Sequence, residues 1–368
     1  MYVNKLTLNN FRNLKNINLE FNKNLNIFTG LNAQGKTNVI ESIYVSLNGR
    51  SPRDNNSVHF VGPYSSSAKI HLQVNCNEVI DEIEILFGEK RKFVRNGVVI
   101  GARSELLKNY STIFFGPDDL RLVKDGPYSR RVFINDSINS LTHLYDEKLS
   151  EYNKILKQRN QLLKFYRASD EFLLEVYDEQ LSQVGSEIIK YRVRFLHQIE
   201  SYIKRNYATI SENVDDISMR YISNVIASND LRNIVDEYKE KLIKSREQDL
   251  KYKTSVVGIH RDDIGIYISG REASKFASQG QQRSIVLSMK LALIDMCRDK
   301  SDYTPVVFLD DVMSELDEIR RGNILGMLSG VQTFITTTEL IDNVKYDYSH
   351  FTVEKGIIEM QKMELKGK

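Results

Sequence analysis

The most specific chemistry in the chain is carried by Gly30-Leu31-Asn32-Ala33-Gln34-Gly35-Lys36-Thr37, an uninterrupted G-x-x-x-x-G-K-[ST] pattern. Its two glycines let successive backbone N–H groups wrap a phosphate, and a helix starting where the pattern ends adds the partial positive charge of its N-terminus. Lys36 is then placed to reach β- and γ-phosphates, and the Thr37 hydroxyl to ligate Mg2+. The pattern arises by chance about once in a hundred chains of this length, so its flanks decide. Leu25-Asn26-Ile27-Phe28 reads as a strand and Asn38 through Tyr44 as an amphipathic helix, the setting the motif requires. A nucleotide with Mg2+ is the expected ligand.

A phosphate loop needs a carboxylate at the end of a neighbouring buried strand to organise the metal. Val306-Val307-Phe308-Leu309-Asp310-Asp311 offers four apolar residues and then two acids. Asp310 is expected to hold Mg2+, and Asp311, one step on, to polarise an attacking water. Two aspartates at a strand end also suit a capped surface turn; the phosphate loop tips the reading to metal. Between these motifs, Ser278-Gln279-Gly280-Gln281-Gln282-Arg283-Ser284 opens a helix, a pattern that on its own is a simple N-cap.

These side chains need elements to position them. Residues 3–8, 17–21, 68–74 and 80–87 alternate apolar and polar side chains as half-buried strands do. Asn96-Gly97 is a hairpin signal, and a meander of antiparallel strands fits the region. From Leu141 to about Ile203, Gly and Pro are nearly absent and apolar residues step by three, four or seven. Tyr145, Leu149, Tyr152, Leu156, Leu163 and Tyr166 form one series; Leu174, Tyr177, Leu181, Val184, Ile188 and Tyr191 form another after the break at Ala168-Ser169-Asp170. Two long helices in an antiparallel hairpin are expected, with a further charged helix over 230–250. The strand pattern returns at Thr254, with later strands at 306–309, 332–336 and 351–353. The expected fold is α/β: one domain with an antiparallel β-region, split as 1–137 and 254–368 by a helical arm at 138–253.

Composition narrows the class. Of 368 residues, 41% are hydrophobic and 27% charged, globular values that exclude a disordered or fibrous chain. Cys76 and Cys297 are the only cysteines, which argues against a disulfide framework, and no Cys/His cluster has zinc-site spacing. There is no signal-peptide core and no run of 18 apolar residues, so a soluble cytoplasmic protein without membrane spans is expected. Lys plus Arg is 51 against 49 Asp plus Glu, a net charge of +2, which excludes a uniformly basic chain but not a basic face. Three local clusters could contact a phosphate backbone or simply be solvated. They are Lys190, Arg192, Arg194, Lys204 and Arg205; Lys90, Arg91, Lys92 and Arg95; and Arg121, Lys124, Arg130 and Arg131.

Taken in order, the motifs resemble an ABC-type P-loop ATPase head, with Ser278 and Gly280 in the signature motif and Ser314-Glu315-Leu316-Asp317 in the D-loop. Within that superfamily the chain is similar to the RecF family. The resemblance rests on Asn10-Phe11-Arg12-Asn13, the P-loop with Asn38 and Glu41, Phe115 through Leu120 and Gly126 through Arg131. Gly258 through Asp263, Ala277 through Arg283 and Asp310 through Asp317 complete it, so that it spans nearly the whole chain.

The resemblance implies an ATP site formed by Gly30 through Asn38 and completed in trans by Ser278 and Gly280 of a second subunit. It also implies an ATP-driven homodimer that binds DNA at single-stranded gaps or duplex junctions. Such a protein works with RecO and RecR to direct RecA, in recombinational repair, replication restart and SOS induction. It would be a weak DNA-dependent ATPase acting as a switch. Two departures imply slow hydrolysis: Thr336-Thr337-Thr338 stands where many ABC ATPases carry a switch histidine, and Asp311 where transporter relatives carry Glu. By analogy Arg53 lies near the base, while His260 suits either a buried structural role or a nucleotide contact. Two competing functions remain, a transporter's nucleotide-binding subunit and a small-molecule P-loop kinase. The long helical insertion argues against the first, and the ordered Ser278-to-Asp317 series against the second.

Overall fold

The computed structural model describes residues 1–53, 57–76, 78–101, 110–142, 144–211, 215–226, 232–300, 304–341, 344 and 347–361. Packing divides the chain into two compact units, one of residues 1–119, 209–211 and 293–368, the other of 120–208 and 212–292.

In the first unit the alternating segments form a six-stranded antiparallel sheet. Strand Tyr2–Phe11 pairs with Leu14–Glu20 on one side and Ala68–Cys76 on the other, and Val79–Phe87, Lys92–Arg95 and Val98–Ile100 follow. Val3, Leu6, Leu8 and Phe11 are buried. The three-residue step from Val3 to Leu6 is absorbed by a register shift between Val3 and Lys5, since an extra residue in a strand reverses which side faces in. Asn96 and Gly97 both have positive φ, 50° and 78°, the twist a two-residue hairpin turn needs.

A second sheet has the strand order Ile357–Gln361, Tyr348–Glu354, Leu25–Thr29, Thr333–Thr337, Val306–Asp310, Thr112–Phe115. All pairings but the first are parallel. Its three central strands are buried at every position, which is why they read as apolar runs rather than alternating ones. Phe28 stacks on Phe351 at 4.8 Å and Phe308 on Phe334 at 5.4 Å, in one core with the antiparallel sheet and the helix Lys36–Asn48. The strand Ile357–Gln361 is an addition to the sequence reading.

The second unit contains helices Leu144–Lys164 and Glu171–Ser211, joined through the short 3-10 turn Ala168–Asp170, and helix Ile234–Tyr252. The last matches the helix expected over 230–250 but ends two residues beyond it, and residues 230 and 231 lie outside the described residues. Their common core includes a fully buried arginine. Arg159 donates from Nε to Asp178 Oδ1 at 2.8 Å, and from Nη1 to Asp249 Oδ2 at 2.8 Å and Ser255 Oγ at 2.7 Å. Each carboxylate comes from a different helix, so one charged hub ties the three together.

Arg192 overturns part of the basic face expected from sequence. It is 2% exposed and donates to Tyr145 Oη, Asn135 Oδ1 and the Ile259 carbonyl at 2.9–3.0 Å, beside Asp262. The reason is periodicity: Arg192 follows Ile188 by four and precedes Ile199 by seven, which puts it in the buried stripe. Arg130 likewise pairs twice with Asp263, and Arg131 donates to the Asp262 carbonyl. These contacts join helix Pro127–Asn139 and strand Asp263–Ile268 to the arm helices.

Residues 254–262 are not the expected strand. They run as an irregular strap whose N–H groups are met by side chains: Ser255 by Asn160, Val256 by Asp249, Gly258 by Asn224 and Ile259 by Tyr238. Gly258 has φ 137°, and a Cβ there would lie 2.4 Å from the Tyr152 hydroxyl. The regular strand Asp263–Ile268 pairs with Ile217–Ile222, an element the sequence reading did not assign. His260 takes the structural alternative. Its Nε2 donates to the Ser255 carbonyl at 3.1 Å, so Nδ1 accepts from Tyr152, whose oxygen in turn meets Tyr238 at 2.8 Å.

Two outcomes follow from these buried groups. Asp249→Ala strands Arg159 in the core and should cost about 3–5 kcal/mol, read as a lowered urea midpoint. Burial pushes the His260 imidazole down from 6.5 to about 4. Because the folded form holds it neutral, its contribution is complete above pH 6.5 and disappears as pH falls towards 4, about 3 kcal/mol in all. Unfolding near pH 5 should take up close to one proton fewer in His260→Gln, measured from the pH slope of stability.

Candidate nucleotide-binding site

The site begins where strand Leu25–Thr29 ends. Gly30 has φ 149°, and a Cβ there would lie 2.3 Å from the Val353 carbonyl oxygen, so only glycine lets the loop turn past that strand. Gly35, at φ 117°, caps helix Lys36–Asn48 without a side-chain bond. Two hairpin turns clip the loop from outside. Asn13 donates to the Gln34 carbonyl at 3.1 Å and accepts from Asn38 at 2.7 Å. The Lys355 N–H donates to Gln34 Oε1 at 2.6 Å, and the Gly356 N–H to the Gln34 carbonyl at 3.0 Å.

Lys36 folds back over the loop, with Nζ donating to the Gly30 carbonyl at 2.6 Å and the Leu31 carbonyl at 2.9 Å. Burial lowers its ammonium from the ordinary lysine value, and Asp311 and Asp310 oppose that shift. The Thr37 hydroxyl donates to Asp310 Oδ1 at 2.7 Å across a sequence separation of 273 residues. Burial raises the Asp310 carboxyl, while hydrogen bonds from Thr37 and Thr336 favour its charged form.

Lys36, Thr37 and Asp311 thus share one cavity of about 270 Å3, lined also by Asn32, Ala33, Gly35, Asn38, Arg53 and Thr336. The hydroxyl and carboxylate beside it are hard oxygen donors of the kind Mg2+ accepts, one or two from protein and the rest from phosphate and water. Among the described residues no group of three or more His, Cys, Asp or Glu side chains could hold a metal without such a ligand. Asp311 itself is left-handed, with φ 56°, and Ser314 donates to its carboxylate at 2.8 Å and its carbonyl at 2.7 Å.

Ser278 and Gly280 belong to the second unit and do not line this cavity. There Ser278 makes a reciprocal cap at the start of helix Gln279–Lys300: its Oγ accepts from the Gln281 N–H at 3.2 Å, and its N–H donates to Gln281 Oε1 at 2.9 Å. Gly280 faces open space.

Sequence reasoning gave Arg53 only a weak place by analogy, and assigned Glu41 and Thr336 no role. Glu41, fully buried on the P-loop helix, pairs with Arg12 at 2.6 Å and Arg53 at 2.6 Å and accepts from Ser51 at 2.5 Å. Arg53 also donates to Asn38 at 2.9 Å, at the cavity wall. A signal existed: an acid at 41 breaks the apolar face of an otherwise buried helix segment, and a buried charge calls for a partner.

The parallel sheet with a P-loop, an acidic strand end and an inserted helical region defines a P-loop ATPase head of the ABC and SMC kind. A family model described as an AAA domain matches residues 5–275. The chain belongs to the RecF family. It is 39% identical over 363 residues to the DNA replication and repair protein RecF of Clostridium acetobutylicum, covering 97% of this chain and 99% of that one. The RecF protein of Streptococcus pneumoniae is also 39% identical, over 367 residues, covering 97% and 98%. A solved structure described as the recombination mediator protein RecF-ATP in the RecFOR pathway superposes with a TM-score of 0.91 at 33% identity, covering 98% of each chain. An Smc head bound to the C-terminal winged-helix domain of ScpA shares the fold at a TM-score of 0.59 and 15% identity. Among the described residues no helix is long and apolar enough to cross a membrane.

Glu41→Ala should leave two guanidiniums around an empty buried site and lower stability by about 3 kcal/mol. Differential scanning calorimetry of the variant against wild type checks this.

Proposed function

We propose that the chain is an ATP-dependent DNA-binding protein of recombinational repair. The observation that carries this reading is the Thr37–Asp310 hydrogen bond beside a P-loop cavity, in a chain of the RecF family. The relatives named above act in DNA replication and repair, and the structural relative binds ATP as a recombination mediator. On this reading Gly30 through Asn38 cradle ATP, and Thr37 and Asp310 hold Mg2+. Bound Mg2+ supplies charge neutralisation for the β,γ-oxygens.

Lys36 exchanges its two loop carbonyls for phosphate oxygens when the nucleotide binds. Asp311 orients the attacking water. Ser278, with Gly280, acts in trans on the nucleotide of a second subunit, leaving its cap on Gln281 available to hold the loop. The chain then consists of a split ATPase head and a helical arm. ATP favours a homodimer because it binds that state better than the monomer, and slow hydrolysis releases it. DNA at gaps and junctions, RecO and RecR, and through them RecA, are the proposed partners in the cytoplasm.

Among the basic clusters, Lys90, Arg91 and Lys92 remain exposed beside the Asn96-Gly97 hairpin, whereas Arg95 pairs with Asp81. Arg91 lies over the Phe93 ring at 4.9 Å. The first three are the better candidates for phosphate contact, since the arm cluster loses Arg192 to the core.

Light scattering with ATP and DNA should show a doubling of mass for wild type and none for Lys36→Met. A chain that stays monomeric and consumes ATP only with a small-molecule acceptor would overturn the reading. Turnover should fall below about 10 s−1, the median for enzymes. Replacing Lys90, Arg91 and Lys92 together with Glu should weaken DNA binding about tenfold or more at low salt and leave the ATP-driven dimer intact.

A further inference from the structure

Thr336 is fully buried at the end of strand Thr333–Thr337 and is the direct parallel-register partner of Asp310. Its hydroxyl lies 2.7 Å from Asp310 Oδ1 and 3.0 Å from the Asp311 backbone nitrogen. The Asp311 N–H must donate and the Asp310 carboxylate must accept. The single hydroxyl proton is therefore directed to Asp310, and a lone pair of the same oxygen to Asp311. A β-branched side chain restricts χ1, which helps keep both bonds in place.

The two acids need such a tie for different reasons. Asp310 is 4% exposed, and a buried carboxylate stays charged only with hydrogen-bond donors around it. It has two on one oxygen, Thr37 and Thr336. Asp311 stands at φ 56°, a conformation that costs a non-glycine residue about 1 kcal/mol or more and persists only where neighbours over-determine it. The Asp311 N–H is held by both the hydroxyl and the carbonyl of Thr336, the latter at 3.1 Å. The next two threonines do not share this geometry. Thr337 is paired in register with Thr29, its hydroxyl accepting weakly from the Glu339 N–H at 3.4 Å, and Thr338 is exposed.

We infer that Thr336 is the positioning residue of this site, its one hydroxyl fixing the Asp310 carboxylate and the Asp311 backbone together. The inference rests on the proposed roles of Asp310 and Asp311. It places the tie between them on the middle strand, at the first residue of Thr336-Thr337-Thr338.

Full-length Thr336→Val, which keeps the volume and removes the hydroxyl, is compared with Thr336→Ser, which keeps the hydroxyl. The first reading is the affinity for a fluorescent ATP analogue with and without Mg2+. Loss of a hydrogen bond to a charged group should cut the Mg2+-dependent gain in affinity about tenfold in Thr336→Val, with little change in metal-free binding. Thr336→Ser should retain most of the gain. The second reading is turnover, where Thr336→Val should lower kcat with KM nearly unchanged. A valine variant that matches wild type in both readings overturns the inference, as does a serine variant as impaired as valine. Should the valine variant fail to fold, Thr336→Cys, of similar size with a weak donor, decides by the same two readings. Lys36→Met separates the two levels: if it binds the analogue like wild type, the nucleotide reading itself fails. If it loses binding while Thr336→Val behaves as wild type, the assignment of Thr336 alone fails.

Discussion

The site depends on one buried carboxylate. Asp310 ends a strand that is buried throughout, and it can remain there as an acceptor only because Thr37 and Thr336 both donate to it. That requirement fixes the order of three strands. The P-loop strand Leu25–Thr29 and the acidic strand Val306–Asp310 are not neighbours; Thr333–Thr337 lies between them. The carboxylate is reached from the loop on one hand and from the middle strand on the other. Every parallel pairing that holds those strands in register also holds the two hydroxyls within reach of one oxygen.

The second unit applies the same rule to cations. Arg159 and Arg192 are buried among carboxylates, hydroxyls and carbonyls contributed by helices and by the strap at 254–262. Removing one partner from such a hub costs far more than the hub adds over a well-packed apolar core, so these contacts act chiefly to specify how the helices and strap fit. They also change how the near balance of charge is understood. Part of the basic total is internal structure, and the residues left to meet an anionic partner are fewer than the sequence clusters suggest.

Local pattern made much of the fold legible. Period-two alternation marked the antiparallel strands, steps of three and four marked the arm helices, and short apolar runs marked the buried parallel strands. It failed where side chains, not the backbone ladder, satisfy the main chain. The strap at 254–262 has the composition of a strand, yet Asn160, Asp249, Asn224 and Tyr238 replace a neighbouring strand as acceptors. Ile217, Met219 and Tyr221 did alternate, and were legible in retrospect as half of a pair whose other half begins at Asp263. Charge alone puts Arg192 on a basic face, whereas its helical step from Ile188 puts it in the buried stripe.

By itself the sequence determined the phosphate loop, the acid pair and the serine-led helix start. Each is a contiguous motif whose chemistry is set by residue type and spacing. Only the tertiary structure decided that Thr37 meets Asp310, that Glu41 gathers Arg12 and Arg53, and that Thr336 rather than its neighbours ties the acids together. The physical reason is range. Backbone dihedrals and periodicity act over a few residues, whereas a hydrogen bond between positions 37 and 310 exists only once strand order and register have brought them together.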